Sequence, residues 1–377
     1  MESVRTDVVV VGLGAFGSAA LWRLAQRGVK VVGIERQAIG HPFGSSHGST
    51  RLFRVACMEH PGLTPIAQES LRLWTELGER TGEVYVRQTG SLNVGGPDSH
   101  PVAGARKAAA EAGAQTTDLS HDELARRFPQ YHLSAHDVAV WDPGAGICYA
   151  EPTVRAQVAE AERLGATVFP HTMVTAIDLQ PNGVTVRTPT IDIQADQVVV
   201  CAGAWLGKLV PGLPLSPRRT PLFWFRPKDP ASDAFRLTNF PSFIWEFPDG
   251  RGLWGHGSDE DFLVKVGLDG AERARDFDPD ELDRYIHPRE DIGELAAAVA
   301  ASFPDLDPEP VKVIPCMVTD SPDGQFLVGR RDERLVIAGG DSGHGFKHCA
   351  GVGELLAELT TKETPYTDVS FIDPLRY

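Results

Sequence analysis

The sequence predicts a mixed α/β fold in two parts: a wound, largely parallel domain assembled from separated segments, and a second domain dominated by antiparallel sheet. Three observations carry this. The first residues read strand, glycine-rich turn, helix, strand; the composition from 214 to about 310 shifts to aromatics, prolines and alternation; the carboxyl-terminal part returns to a buried strand, a glycine-rich turn and a helix. At 377 residues the chain exceeds one ordinary compact core.

The first unit has a strand over residues 7–11, the turn Gly12-Leu13-Gly14-Ala15-Phe16-Gly17, an alanine- and leucine-rich helix ending near Gly28, and a β-branched run over 29–34 that stops at Glu35. In such a unit the first glycine allows a tight turn, the second admits a pyrophosphate, and the third lets helix and strand pack closely. The helix amino terminus faces the phosphates. Glu35 is placed to accept hydrogen bonds from a ribose diol, which favours a free ribose over a 2′-phosphate; Arg36 weakens that preference. The order of elements predicts a Rossmann-like dinucleotide site, although the glycine motif by itself does not separate FAD from NAD and also occurs as a plain packing turn.

Residues 40–50, dominated by glycine, serine and histidine, are too irregular for a helix or strand and too long for a minimal turn, so a functional loop is expected. Helical spacing runs over 65–78, and residues 85–94 alternate like a strand. Near Glu151 the chain is expected to return to the first domain: a helix over 152–165, a strand region over 167–177, a hairpin turn at Pro181-Asn182-Gly183, and a strand over 191–200. Small residues in the following Cys201-Ala202-Gly203-Ala204-Trp205 would let a backbone approach a ligand.

From 214 to about 310, segments such as LFWFRP, FIWEF and FLVKVGL predict antiparallel strands, with a helix after Asp280. A strand over 335–338, the turn 339–345 and a helix over about 350–359 close the chain. The expected division is 1–85, 145–213 and 311–377 for the nucleotide domain, and 86–144 and 214–310 for the substrate domain. The second glycine-rich turn, near the carboxyl terminus, could stabilise negative charge at a flavin's pyrimidine end, which puts FAD ahead of a nicotinamide. A cap on a packing helix is the plain alternative.

A formal charge of -15 opposes binding to nucleic acid or an anionic membrane, leaving a small-molecule substrate as the expected partner. The five cysteines are scattered, with no paired spacing for zinc, which suits a reducing cytoplasm. The opening apolar run is too short and glycine-rich for a signal peptide or membrane span.

Three further segments, GSSHGSTRLFR (44–54), PCMVTDSPDGQFLVG (315–329) and SGHGFKHCAGVGELL (342–356), together with the first unit, resemble the monomeric sarcosine oxidases and their relatives that oxidise N-methyltryptophan, pipecolate and fructosyl amino acids. The resemblance spans nearly the whole chain. It implies FAD joined by a thioether to Cys316; taken alone, that cysteine reads as a buried apolar side chain. It implies that Lys265 lies at the flavin and promotes reaction with oxygen, where a fixed cation stabilises the anion formed by the first electron. A solvent-facing lysine on an edge strand is the bland reading.

The resemblance also places His47 and Arg51 close to the flavin and gives Arg54 and Lys347 to the substrate carboxylate, although surface ion pairs are common for such residues. It extends the candidate cofactor contacts to Gly12, Gly14, Ala15, Phe16, Gly17, Glu35, Arg36, Ser45, Thr50, Val174, Ala202, Gly203, Trp205, Cys316, Gly343, Gly345, Phe346 and Lys347. Two departures stand on the substrate side: Trp254 replaces a tyrosine and Asp269 a histidine. Asp269 would favour a cationic or hydrogen-bond-donating substrate group, unless it pairs with the enzyme.

The implied activity is oxidation of a secondary amino acid to an imine, with O2 reduced to hydrogen peroxide, by a monomer or small homo-oligomer. A flavin-dependent dehydrogenase with another acceptor is the nearest alternative. A nicotinamide-dependent dehydrogenase leaves Cys316 and the carboxyl-terminal motif without a role, and a non-enzymatic nucleotide-binding module predicts no colour, no peroxide and a dispensable Lys265.

Overall fold

The computed structural model describes residues 2–259, 262–269 and 276–377. The first sheet forms where β-branched residues are densest. Glu2–Val11 pairs in parallel with Val31–Ile34 on one side and with Ile191–Val200 on the other, and Thr167–Phe169 extends it beyond Val31–Ile34. Residues 8–11 are all buried valines, as a strand covered on both faces requires. Ile191–Val200 uses its other edge twice. Its first half pairs antiparallel with Gly183–Arg187 of a hairpin, and its last three residues pair parallel with Leu335–Gly339.

Helix Ala15–Gln26 covers this sheet together with Ala150–Arg163 and Cys349–Thr361. Where the first and last of these cross, a Cβ on Gly353 would meet the Ala19 Cβ at 2.5 Å and its carbonyl carbon at 2.6 Å, so the glycine sets the approach. Glu354 joins the same two helices through Arg23 and Arg27, at 2.5 and 2.7 Å.

The second large sheet runs in the order Lys312–Ile314, Leu222–Phe225, Val264–Asp269, Gly252–His256, Ser242–Glu246, Ser91–Gly95, Val138–Asp142, Thr117–Leu119. All its pairings are antiparallel except that of Ser242–Glu246 with Ser91–Gly95. Its core is aromatic: Tyr131 lies 5.0 to 5.6 Å from Phe240, Phe243, Trp245 and Phe303. The fold is thus mixed α/β, with sheets of mixed orientation.

Three elements differ from the sequence reading. The alternating run 85–94 is two strands, Val86–Gln88 and Ser91–Gly95, which join different sheets. The break falls at Gly90, whose φ is +83° and where any Cβ would strike the Trp141 ring. The region 167–177 holds only the short strand Thr167–Phe169 before the hairpin strand Ala176–Gln180, because the chain turns back at residues 170–175. The helix expected after Asp280 begins only at Gly293, preceded by a π-turn over Pro288–Ile292. Helices His100–Ala112 and His121–Arg127 had no sequence expectation; the second is fixed by a capping box between Ser120 and Glu123.

Gly353→Ala tests the helix crossing. Alanine gains about 1 kcal/mol of helix propensity, but backbone at 2.6 Å makes overpacking, about 1–3 kcal/mol, the larger effect. The thermal midpoint should fall; a rise would show that the two helices separate without cost.

Candidate functional site

The carboxyl ends of the parallel strands open on one cavity of about 550 Å³. Gly12, Gly14, Ala15 and Phe16 line it from the first turn, Glu35 and Arg36 from the end of the next strand. Ser45 enters from the long loop, Val174 from the chain after Thr167–Phe169, and Ala202, Gly203 and Trp205 from the turn after Ile191–Val200. Gly17 stands behind this lining: its Cβ would meet the Gly12 carbonyl oxygen at 1.8 Å, so the residue serves packing. Gly12 itself has φ +83° and the Cys201 carbonyl oxygen 2.7 Å from where a Cβ would lie.

These residues fit a dinucleotide. Helix Ala15–Gln26 starts at Gly14 with no acid in its first turn, and although Ala15 N donates to Ser46 Oγ at 3.0 Å, no charge offsets the amide dipoles that face the cavity. The Glu35 carboxylate accepts from Leu13 N at 2.8 Å, Gln37 N at 2.9 Å and His41 Nε2 at 3.2 Å. Burial would raise its pKa, but the His41 contact and these amides hold it below the ordinary value, ionised and able to accept again. Arg36 is already engaged: it pairs with Asp280 at 2.5 Å, as does Lys208 at 2.6 Å, while the Trp205 indole donates to the same carboxylate at 2.9 Å. Asp280 thereby ties its own short turn, Pro279–Glu281, to the cavity lining.

Next to Ser45 lies a wall of buried cations. Lys265 is 1% exposed; its Nζ donates to the carbonyls of Gly48 and Thr50 at 2.8 and 2.7 Å and stands 5.0 Å from the Trp224 ring. Burial first, and then Arg51, push its pKa well below the ordinary value. Arg51 donates to the carbonyls of Thr50 and Ser45, at 2.8 and 2.7 Å. His47 is buried and pushed down to about 4, by burial and by Arg51, and its Nε2 has no partner among the described residues. Cys316 packs on Leu222 and Trp224 with Sγ 4.0 Å from the Ser45 carbonyl, and burial raises its thiol.

The short strand Thr50–Phe53 leads from this wall to a second ionic cluster. Arg54, at its end, pairs with the buried carboxylate of Glu59, and Lys347 Nζ reaches the same carboxylate at 3.4 Å and the His344 carbonyl at 2.9 Å. Burial alone would raise Glu59; Arg54, Lys347 and His344 outweigh it and hold the carboxyl well below the ordinary value. Arg54 Nε and Nη1 and Glu59 Oε2 have no partner among the described residues, so the cluster retains unmet capacity for another charged group. On the neighbouring sheet the Trp254 indole donates a hydrogen bond to Asp269, which is exposed at the end of its strand and lies in the field of Arg218.

A family model described as FAD dependent oxidoreductase matches residues 7–359. The chain belongs to that family. It is 33% identical over 377 residues to monomeric sarcosine oxidase of Streptomyces avermitilis, covering 98% of this chain and 97% of the relative. N-methyl-L-tryptophan oxidase of Yersinia pestis is 28% identical over 380 residues, covering 98% and 99%. Among solved structures, NikD, an unusual amino acid oxidase essential for nikkomycin biosynthesis, superposes in its open form with a TM-score of 0.85 at 25% identity, covering 99% of this chain and 98% of that one. The protein is therefore an FAD-dependent oxidoreductase of the sarcosine and N-methyl amino acid oxidase type, acting on CH–NH donors.

Within this flavoenzyme the carboxyl-terminal turn meets the cavity earlier than the sequence reading placed it. Gly339, Gly340 and Asp341 line the cavity, whereas Gly343 and Gly345 lie in the turn beyond and Phe346 stacks on Trp74 in the core, 6.2 Å between rings. Thr50 and Cys316 belong to the cation wall and not to the cavity lining. Glu59, Glu151, His256 and Asp280 were missed. Each acts on a partner distant in sequence or across a turn, so no local spacing marks it. Among the described residues no cluster could hold a metal ion, and no helix is long and apolar enough to cross a membrane.

Two outcomes follow from the charges. Glu59→Gln removes the anion that occupies Arg54 and Lys347, so the holoenzyme should bind acetate about tenfold more tightly, roughly 1.4 kcal/mol, read from the visible absorbance; unchanged affinity would put the carboxylate site elsewhere. His47, His256 and His344 sit at about 4 in place of 6.5, burial leading in each case. The unfolded chain takes up these protons first, so the stability they contribute is complete above 6.5 and lost as pH falls toward 4. The urea midpoint should drop across that window, and drop less in His344→Gln; an equal drop would assign the loss to other groups.

Proposed function

We propose that this enzyme is an oxidase of a secondary amino acid, N-methylated or cyclic, producing an imine for hydrolysis and reducing O2 to H2O2, with FAD held covalently through Cys316. The observation that carries the reading is the buried pair Arg54 and Lys347 around Glu59, joined by one short strand to the wall of Lys265, Arg51 and Cys316. The names of the relatives, a sarcosine oxidase and an N-methyl-L-tryptophan oxidase, support a small amino acid as the substrate.

Bound FAD supplies the redox chemistry, taking two electrons from the Cα–N bond and handing them to oxygen. The chain's own residues do the rest. Arg54 and Lys347 would clamp the substrate carboxylate, Arg54 with a planar fork that matches it and Lys347 as a point charge. Glu59 would have to yield its place as the carboxylate arrives. The surrounding cations lower the pKa of a bound ammonium, so the amine is held with its lone pair free and no separate base is required. Lys265, which donates to two carbonyl oxygens, offers an ammonium with no directly paired carboxylate where oxygen is to react. Asp269 already has the Trp254 indole as a partner and lies in the field of Arg218, which favours an enzyme-internal role over recognition of a cationic substrate. The other four cysteines, buried and without disulfides, suit a reducing cytoplasm.

The test begins with colour. The purified protein should be yellow, the colour should stay with the acid precipitate, and Cys316→Ser should release it to the supernatant. Peroxide should appear with N-methyl or cyclic amino acids and fall steeply in Arg54→Met, about a hundredfold for loss of a charged clamp, roughly 2.7 kcal/mol. Flavin released from the wild type by acid would overturn the covalent link. Full substrate reduction with no peroxide would overturn the oxidase in favour of a dehydrogenase.

A further inference from the structure

Lys265 is held by a turn that is itself held in an uncommon shape. The Thr50 amide donates to the Gly48 carbonyl at 2.8 Å, closing a three-residue turn with Ser49 at its centre and φ +67°. Three-residue turns with a positive central φ are the rare, strained form, and a serine there lacks glycine's freedom. Such a shape persists only when its surroundings over-determine it. From outside, the Glu151 carboxylate accepts the amides of Gly48 and Ser49, at 2.8 and 3.0 Å. From inside, Lys265 Nζ donates to the carbonyls of Gly48 and Thr50.

A third anchor comes from His256. In the second sheet His256 stands directly opposite Lys265 across neighbouring antiparallel strands, and Trp224 stands opposite Lys265 on the far side. Opposed residues share a face, so the three form one row beneath the turn. His256 Nδ1 lies 2.7 Å from the Gly257 carbonyl, which can only accept, so Nδ1 carries the proton. Nε2 is then the acceptor, and Thr50 Oγ1 donates to it at 2.8 Å. The ring is buried, and burial first and then Lys265 push its pKa down to about 4, which keeps it neutral and in this tautomer.

We propose that His256 is a positioning residue for the reaction with O2: by accepting the Thr50 hydroxyl it locks the strained turn whose two carbonyls fix the Lys265 ammonium. The proposal rests on the oxidase reading above. The step it serves is unchanged: O2 takes the two electrons withdrawn from the substrate and two protons to give H2O2. What His256 adds is the place of the cation, and misplacing a reacting group by an ångström costs up to about a hundredfold in rate.

The experiment uses holoenzyme reduced photochemically in the absence of oxygen, so that no substrate need be chosen, and then mixed with O2 or with ferricyanide. Oxygen should reoxidise His256→Phe about tenfold more slowly than wild type or worse, while ferricyanide, which needs no fixed cation, should react at the wild-type rate. His256→Gln, which keeps an acceptor near the position of Nε2, should restore the oxygen rate. Thr50→Val removes the same hydrogen bond from its other end; it should match His256→Phe, and the double variant should be no slower than either. Equal loss with both oxidants, no loss with oxygen, or additive effects would overturn the role, and if His256→Phe does not fold the Thr50→Val and His256→Gln pair decides. A wild-type enzyme that oxygen reoxidises no faster than free flavin would overturn the oxidase reading and this role with it.

Discussion

Burying cations without stranding them is the constraint on which the rest of this structure depends. Lys265, Arg54 and Lys347 are each at most 3% exposed, and Arg51 is half-buried beside them. A bare ammonium in an apolar interior costs several kcal/mol even after relaxation, so each must find acceptors. The solutions differ. Lys265 and Arg51 take backbone carbonyls from the loop between the glycine-rich turn and the strand Thr50–Phe53, while Arg54 and Lys347 share one carboxylate. Carbonyl dipoles satisfy donors but leave the net charge in place. The one carboxylate of Glu59 cancels only one of the two charges it serves. The first cluster therefore remains a field directed at whatever lies beside it, and the second a triad with one charge over that an incoming anion can reorganise.

The two sheets make this possible by meeting along the loop. The parallel sheet supplies the cavity floor through glycine positions where a side chain would collide with Cys201 or Gly12. The antiparallel sheet supplies Trp224, Lys265 and His256 as one row, and, further along the same strands, Trp254 two residues from His256 and Asp269 four from Lys265. Neither sheet forms the site alone. Asp280, reaching Arg36, Lys208 and Trp205, fastens the turn Pro279–Glu281 to residues that follow the parallel strands.

Much of this was legible in the sequence where a residue's task is local. Gly12, Gly14 and Gly17 announce themselves because tight turns and close packing have their own spacing, and the strand Ile191–Val200 lies where its apolar pattern put it. The motif around Cys316 and the Ser342 to Leu356 segment located the other walls. Glu59, Glu151 and His256 left no such mark. Glu59 matters because Arg54, across a turn, and Lys347, far along the chain, converge on it, and His256 reads in sequence as one more residue of an apolar strand. The break at Gly90 was hidden because alternation continues through it while the sheet partner changes.

Leu335–Gly339 and Cys349–Thr361 lie at the end of the chain, yet they complete the sheet edge of Ile191–Val200 and cover the helix Ala15–Gln26. On a ribosome the first helix emerges more than three hundred residues before the partner that Gly353 brings against Ala19. Contacts so far apart in sequence form late, because loop closure must precede any gain from them. During most of synthesis the amino-terminal unit carries an uncovered apolar face and an open strand edge, the two features most prone to mispairing. The order of translation thus makes completion of the parallel sheet wait on residues 335–361, and the edge and face that they cover stay open until these have been made.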